Sequence, residues 1–193
     1  MPVTSLWERK FQTVVRQQYD YSCGSAALAT LLRFHYGLPV DERVAFLGMW
    51  ADGDQALIRR AGFSLLDMKR FLAGRRLNAD GYRVTLDQIA RARTPGIVLL
   101  DIDGYKHFVV VKGVDSRTVL LGDPSLGLRR MSVREFSRVW NGIYFAINVT
   151  SQQMPTFNAV QDISLAPAVA TGVLTGPVEQ AALALTRPLP GEF

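Results

Sequence analysis

Cysteine is almost absent from this chain: its 193 residues include one, Cys23. A lone cysteine excludes an intramolecular disulfide and any zinc site built on several thiolates. Histidine is nearly as scarce, with only His35 and His107. No His/Asp metal cluster, Gly-rich phosphate loop or pair of catalytic carboxylates stands out, so neither metal nor cofactor is expected. No apolar run approaches the roughly 18 residues of a membrane-spanning helix, and stable membrane insertion is not expected. The opening Met-Pro-Val-Thr-Ser-Leu-Trp-Glu-Arg-Lys has no apolar signal-peptide core. From the residues alone, the chain is either cytoplasmic or numbered from after a removed targeting segment.

What is present fits a folded domain. The chain is 48% hydrophobic and 20% charged, enough apolar residue for a real core. Net charge is +5 but uneven. Residues 1–150 carry 21 Lys and Arg against 14 Asp and Glu, whereas 151–193 carry only Arg187 against Asp162, Glu179 and Glu192. The basic residues are scattered singles and pairs, such as Arg59-Arg60 and Arg129-Arg130, which reads as solvated faces ahead of a nucleic-acid patch, and the surplus also suits an acidic partner or an anionic membrane surface.

The first half reads as helical. Ser22 and Gly37 bracket a helix from about Cys23 to Tyr36. Further helical stretches run over Val40–Trp50 and Gln55–Ala61, and Ser64-Leu65-Leu66-Asp67 reads as a capping box opening a helix to Ala73. Residues 1–21 read as a polar lead-in. The texture then changes to strands at Tyr82–Val84, Ile97–Ile102, His107–Val114, Thr118–Gly122 and Gly142–Val149, with short helices capped by Thr85 and Ser132. Helices followed by an antiparallel sheet make an α+β fold. Residues 1–150 form the domain. Residues 151–193, rich in Ala, Pro, Thr, Val and Leu, read as an extension that is flexible or docked on the body, with a helical stretch at Pro177–Leu185.

Cys23 sits at the start of the first long helix. The helix dipole and free N–H groups there stabilise a thiolate, and Gly24 leaves space beside the sulfur for a substrate carbonyl. Most lone cysteines are buried structural residues, so this one needs a base. His35 is twelve residues further along the same helix, roughly 18 Å at about 1.5 Å per residue, too far for proton transfer. It reads as a structural residue at a helix end. His107 starts a strand just after the Asp103-Gly104 turn, where a catalytic side chain is readily presented. A three-residue Asp115–Arg117 loop pairs Val114 with Thr118 and so Val109 with Asp123. Period-two alternation then places His107 and Asp123 on one face, within reach of a carboxylate–imidazole hydrogen bond. Gln17 and Gln18 precede the cysteine, and a side-chain amide there can donate to an oxyanion together with the Cys23 N–H.

Gln17-x5-Cys23-Gly24, His107-Phe108-Val109-Val110-Val111 and Gly122-Asp123-Pro124, in this order, resemble the bacteriocin-processing, double-glycine leader peptidases, family 39 of the papain-like cysteine peptidases. The resemblance covers about residues 12–150. It implies a papain-like fold, with the nucleophile helix of an N-terminal helical half packed against a C-terminal antiparallel sheet. It also implies Cys23 as nucleophile, His107 as base and acid, Asp123 as its orienter and Gln17, whose spacing matches, as oxyanion donor. Many members have Asp directly before the cysteine, where this chain has Ser22, and many are fused to transporter segments that this chain lacks. It is therefore similar to the stand-alone branch. Asp-Tyr-Ser-Cys-Gly-Ser-Ala-Ala-Leu-Ala-Thr-Leu-Leu and Gly-Phe-Ser-Leu-Leu-Asp-Met-Lys resemble peptidases encoded with functional-amyloid (Fap) secretion systems of Gram-negative bacteria. That implies a periplasmic protein whose signal peptide lies outside this numbering.

The expectation is thus a cysteine endopeptidase acting on peptides or proteins linked to secretion, with secretion-system components as partners and no nucleic acid. Self-cleavage at a double glycine is not expected, because the chain contains no Gly-Gly pair. Two other functions use the same parts: a peptide-binding adaptor that retains the fold, as in family members that have lost the cysteine, and a thiol acyltransferase with Cys-His-Asp chemistry.

Overall fold

Ala26, Ala27, Leu28, Ala29, Leu31 and Leu32 make one helix apolar on nearly every side, and such a helix has no face to show water. In the computed structural model, which describes residues 6–19, 21–148 and 155–167, all six are fully buried in α2 (Cys23–His35). α1 (Leu6–Arg9) precedes it, and α3 (Glu42–Asp52), α4 (Gln55–Ala61) and α5 (Leu65–Ala73) share its core. Asp41, Asp54 and Ser64 start the last three, each side chain accepting a backbone N–H three residues on. The Ser64–Asp67 capping box forms as its sequence predicts.

The second half holds β1 (Ala79–Arg83), α6 (Leu86–Ala92), β2 (Gly96–Ile102), β3 (Tyr105–Val114), β4 (Thr118–Asp123), β5 (Gly127–Ser132), α7 (Val133–Val139) and β6 (Ile143–Ile147). The six strands form one antiparallel sheet in the order β1-β6-β2-β3-β4-β5. Ile97, Phe108, Val110 and Phe145 pack with α2, α3 and α5. Val98, Val109, Leu121 and Tyr144 pack with Ile89 of α6 and Phe136 of α7. Helices therefore cover both faces of the sheet. The β2–β3 hairpin turns on Asp103 and Gly104, both with positive φ, as a two-residue turn that matches strand twist requires.

Several details depart from the sequence reading. Neither α1 nor β5 is legible in the sequence. The Arg129-Arg130 pair reads as solvated, but Arg129 is buried in β5 against a carboxylate. Ser22 precedes α2 without making a side-chain cap, because its hydroxyl is taken up by Tyr19 and Glu42. Gly24 does not open space for substrate: a Cβ there would stand 3.1 Å from both Met68 and Phe63. Its bareness lets the first turn of α2 lie close to α5 and the sheet.

The β3–β4 register shifts by one residue. Val114 pairs with Val119, not Thr118, because Asp115 N–H closes the turn onto Thr118. A bulge between Val111 and Gly113 takes up the extra residue, and Val110 returns to pair with Gly122. One step further, Val109 is level with Asp123, as the unbulged pairing predicts.

Residues 155–167, with α8 (Val160–Leu165), lie against the body. Thr156 N–H donates to the His35 carbonyl, Asn158 N–H to that of Lys112, and Asn158 Nδ2 to that of Val114 at 3.1 Å. Asn158 sits so close over Gly113 that a Cβ there would fall 2.0 Å from its Oδ1. Lys112 is fully buried. Its Nζ lies 3.3 Å from Asp162 and donates to the Thr13 carbonyl at 2.8 Å, while Thr13 Oγ1 donates to Asp162 at 2.6 Å. The helical stretch expected at Pro177–Leu185 lies outside the described residues.

Candidate active site

α2 brings Cys23 to its first position, and Phe108, beside His107 in β3, packs next to Gly24, so the helix start and the strand start come together. Cys23 is half-buried, whereas His107 and Asp123 are 2% and 1% exposed. This contrast suits a reacting atom that meets substrate and a supporting pair held out of bulk solvent.

His107 Nε2 and Asp123 Oδ1 are 2.8 Å apart. Oδ1 also accepts the N–H groups of Ser125 and Leu126 at 2.9 and 3.1 Å, while Oδ2 accepts from Arg129 Nε at 3.0 Å. The carboxylate is thus fully satisfied, as a buried charge must be. Burial favours its neutral form, but the charges of His107 and Arg129 and these hydrogen bonds prevail and hold it well below the usual carboxylate range. Burial likewise disfavours the charged imidazole. The Asp123 charge and hydrogen bond, followed by Cys23, overcome this and raise the His107 pKa to about 10. The ring is then an imidazolium at neutral pH.

With Nε2 held by Asp123, Nδ1 is the nitrogen left for Cys23. Nδ1 is buried and has no partner of good hydrogen-bond geometry, yet Cys23 is near enough to help raise the ring's pKa. We read the contact as loose, as is common before substrate arrives. Tyr105 stacks beside the imidazole with ring centroids 5.8 Å apart.

Gln17 is tied to the Asp123 side of the site. Its N–H donates to the Pro124 carbonyl at 3.1 Å, and its Oε1 accepts from Ser125 Oγ at 2.9 Å. These bonds fix which end of the amide is nitrogen, and Nε2 rests 3.4 Å from the Tyr19 carbonyl in the loop leading to Cys23. Gln18 instead gives its backbone N–H to Glu42 at 3.0 Å. His35 stands apart. It is buried, its Nδ1 meets the Thr156 carbonyl at 2.5 Å, and burial, with the Lys112 charge, lowers its pKa to about 3.

Sequence reasoning misses Arg129, Ser125 and Glu42. Only Ser125 carried a signal, being two residues after Asp123 in an Asp-Pro-Ser turn. A separate cavity of about 330 Å³ lies between α6 and the β1–β6 edge, lined by Tyr82, Ile89 and Tyr144 among others and by none of the residues above. Among the described residues no helix is long and apolar enough to cross a membrane, and no group of three or more His, Cys, Asp and Glu could hold a metal ion.

Residues 12–152 match the model of the Peptidase C39 family. The chain is 46% identical over 145 residues to "Probable functional amyloid protease FapD" of Pseudomonas aeruginosa, a match covering 75% of this chain and 64% of that protein. The chain thus spans under two thirds of that curated relative. Among solved structures, the peptidase domain of Streptococcus ComA superposes with a TM-score of 0.59 at 22% identity, covering 72% of this chain and 98% of that one. A double-glycine-motif protease from an AMS/PCAT transporter, in complex with the leader peptide, superposes with a TM-score of 0.59 at 25% identity, covering 71% and 91%.

Proposed function

The chain belongs to the peptidase C39 family, and on that premise we propose that it is a cysteine endopeptidase of the double-glycine leader type. The observation that carries this reading is the buried His107–Asp123 pair at 2.8 Å, with Cys23 acting on the same ring. An imidazolium beside a thiol at a helix start is the arrangement that yields a sulfur nucleophile.

In this reading the Cys23 proton resides on His107. The sulfur attacks a peptide carbonyl, forming the C–S bond, and the carbonyl oxygen becomes an oxyanion held by the Cys23 N–H and Gln17 Nε2. As the C–N bond breaks, His107 passes its proton to the leaving amine. The neutral imidazole then takes a proton from water, whose oxygen attacks the thioester. The acid is released and the proton returns to the Cys23–His107 pair. Asp123 orients the ring and stabilises its charged form throughout.

The substrates are peptides or proteins, and cleavage follows a small-residue motif such as double glycine. The likeness to the functional-amyloid protease supports a role in functional-amyloid (Fap) export, with secretion-system components as partners and a periplasmic location. Residues 1–150 form the peptidase domain, and 151–193 an extension whose described part is docked on it.

The test is mass spectrometry of secreted candidate substrates incubated with the wild-type protein and with Cys23→Ala. Two fragments produced only by the wild type are expected. Leader binding without cleavage would replace this reading with an adaptor. A covalent amide product in place of fragments would replace it with acyl transfer.

A further inference from the structure

Glu42 is the first residue of α3, is only 3% exposed, and plays no part in the chemistry just described. Its Oε1 accepts the Gln18 N–H at 3.0 Å and the Ser22 hydroxyl at 2.5 Å. Its Oε2 is buried with no partner. Burial raises its pKa, while Ser22 and Gln18 pull the other way. A carboxylate held from water with one oxygen unmatched is costly, so stability alone would favour an apolar residue at this position. Both groups it binds lie in the short segment between Gln17 and Cys23.

Ser22 has a single hydroxyl proton but two acceptors within reach: the Tyr19 carbonyl at 2.9 Å and Glu42 Oε1. The Glu42 oxygen is the nearer acceptor, 2.5 Å against 2.9 Å, so it takes the proton. Ser22 Oγ is then free to accept the Tyr19 N–H at 3.1 Å. The Tyr19 carbonyl is left for the Ser22 N–H at 3.1 Å and Gln17 Nε2 at 3.4 Å. On the other side, Ser25 Oγ donates to the Ser22 carbonyl at 2.9 Å and joins the same residue to α2. A single carboxylate therefore fixes both the residue before the sulfur and the carbonyl on which the Gln17 amide rests.

We infer that Glu42 is a positioning residue for the reaction at Cys23, clamping Gln18 and Ser22 so that Gln17 Nε2 and the Cys23 N–H converge on one substrate oxygen. The inference rests on the peptidase reading above. It concerns the oxyanion side of the site and not the generation of the nucleophile, because Glu42 touches neither His107 nor Asp123.

This division gives the test two independent readouts. Because Cys23 is the sole thiol, iodoacetamide alkylation reports on the sulfur alone and needs no oxyanion donor. Hydrolysis of a peptide ending in Gly-Gly-aminomethylcoumarin needs both. For Glu42→Gln, which keeps the shape and loses the charge, and for Glu42→Ala, kcat is expected to fall at least tenfold. KM should stay within twofold, alkylation within threefold, and the melting temperature of Glu42→Gln within a few degrees of wild type. Ser22→Ala should lower kcat in the same way, and combining it with Glu42→Gln should cost much less than the product of the two separate losses. An unchanged kcat, an alkylation rate that falls in step with kcat, or multiplicative losses would overturn the inference. A wild-type protein that alkylates but never hydrolyses would instead overturn the peptidase reading, and the inference with it.

Discussion

His107 Nε2 meets Asp123 Oδ1 at 2.8 Å, and the same carboxylate meets Arg129 Nε at 3.0 Å through its other oxygen. Asp123, itself almost fully buried, therefore stands between the imidazole and the guanidinium. Asp123→Asn keeps an acceptor for the imidazole but removes the charge that most strongly raises its pKa. We expect kcat/KM for peptide cleavage to fall at least tenfold, about 1.4 kcal/mol in barrier. The basic limb of its pH profile should move to lower pH. A profile with an unmoved basic limb would show that Asp123 does not govern the ring.

Arg129→Ala should act mainly on stability. It leaves Asp123 Oδ2 buried without a cation, and breaking such a pair costs about 3 kcal/mol. Chemical denaturation should show a lower midpoint with an unchanged slope. Arg129→Lys should recover part of the loss, because an ammonium restores the charge but not the guanidinium geometry.

The ion pair on the other side of the sheet behaves differently. Asp162→Ala strands the fully buried Lys112, and we expect a loss of about 3 kcal/mol. Replacing both, as Lys112→Met with Asp162→Leu, should be much milder, since neither charge then remains to be desolvated. A double mutant as unstable as Asp162→Ala would show that the hydrogen bonds to Thr13 matter more than the charges.

Stability should peak near pH 6.5. His107 has a folded pKa of about 10, so its contribution is complete below its unfolded value of 6.5 and is lost as pH rises toward 10. His35 has a folded pKa of about 3, so its contribution is present above 6.5 and is lost as pH falls toward 3. Asp123, also depressed, adds to the acid loss. Thermal unfolding across pH 4 to 10 checks this. His107→Gln should flatten the alkaline side and leave the acid side sloping.

Legibility in the sequence followed locality. Ser64–Asp67 and Asp103-Gly104 carry their geometry within a few residues and form as read. His107 and Asp123 were reachable through strand parity, although the expected Val114–Thr118 pairing is off by one and only the bulge restores the register at the site. No local rule signals a bulge at Lys112; it forms where that side chain is drawn into a buried cluster with Asp162 and Thr13. Arg129 and Glu42 were invisible for a related reason. Glu42 is buried by partners twenty or more residues away, and Arg129 meets Asp123 only through the β4–β5 pairing, which the sequence does not signal; an unpaired charge in a sequence reads as solvated.

The Thr13–Asp162 hydrogen bond joins residues 149 positions apart across the buried lysine. Closing so long a loop is slow and late, since its entropy is lost before any contact rewards it. The chain cannot complete this buried cluster until residue 162 is available. Until then Lys112, fully buried in the finished fold, has no counter-ion. A chain cut short before residue 162 therefore leaves a buried ammonium unpaired and should be less stable than the whole chain.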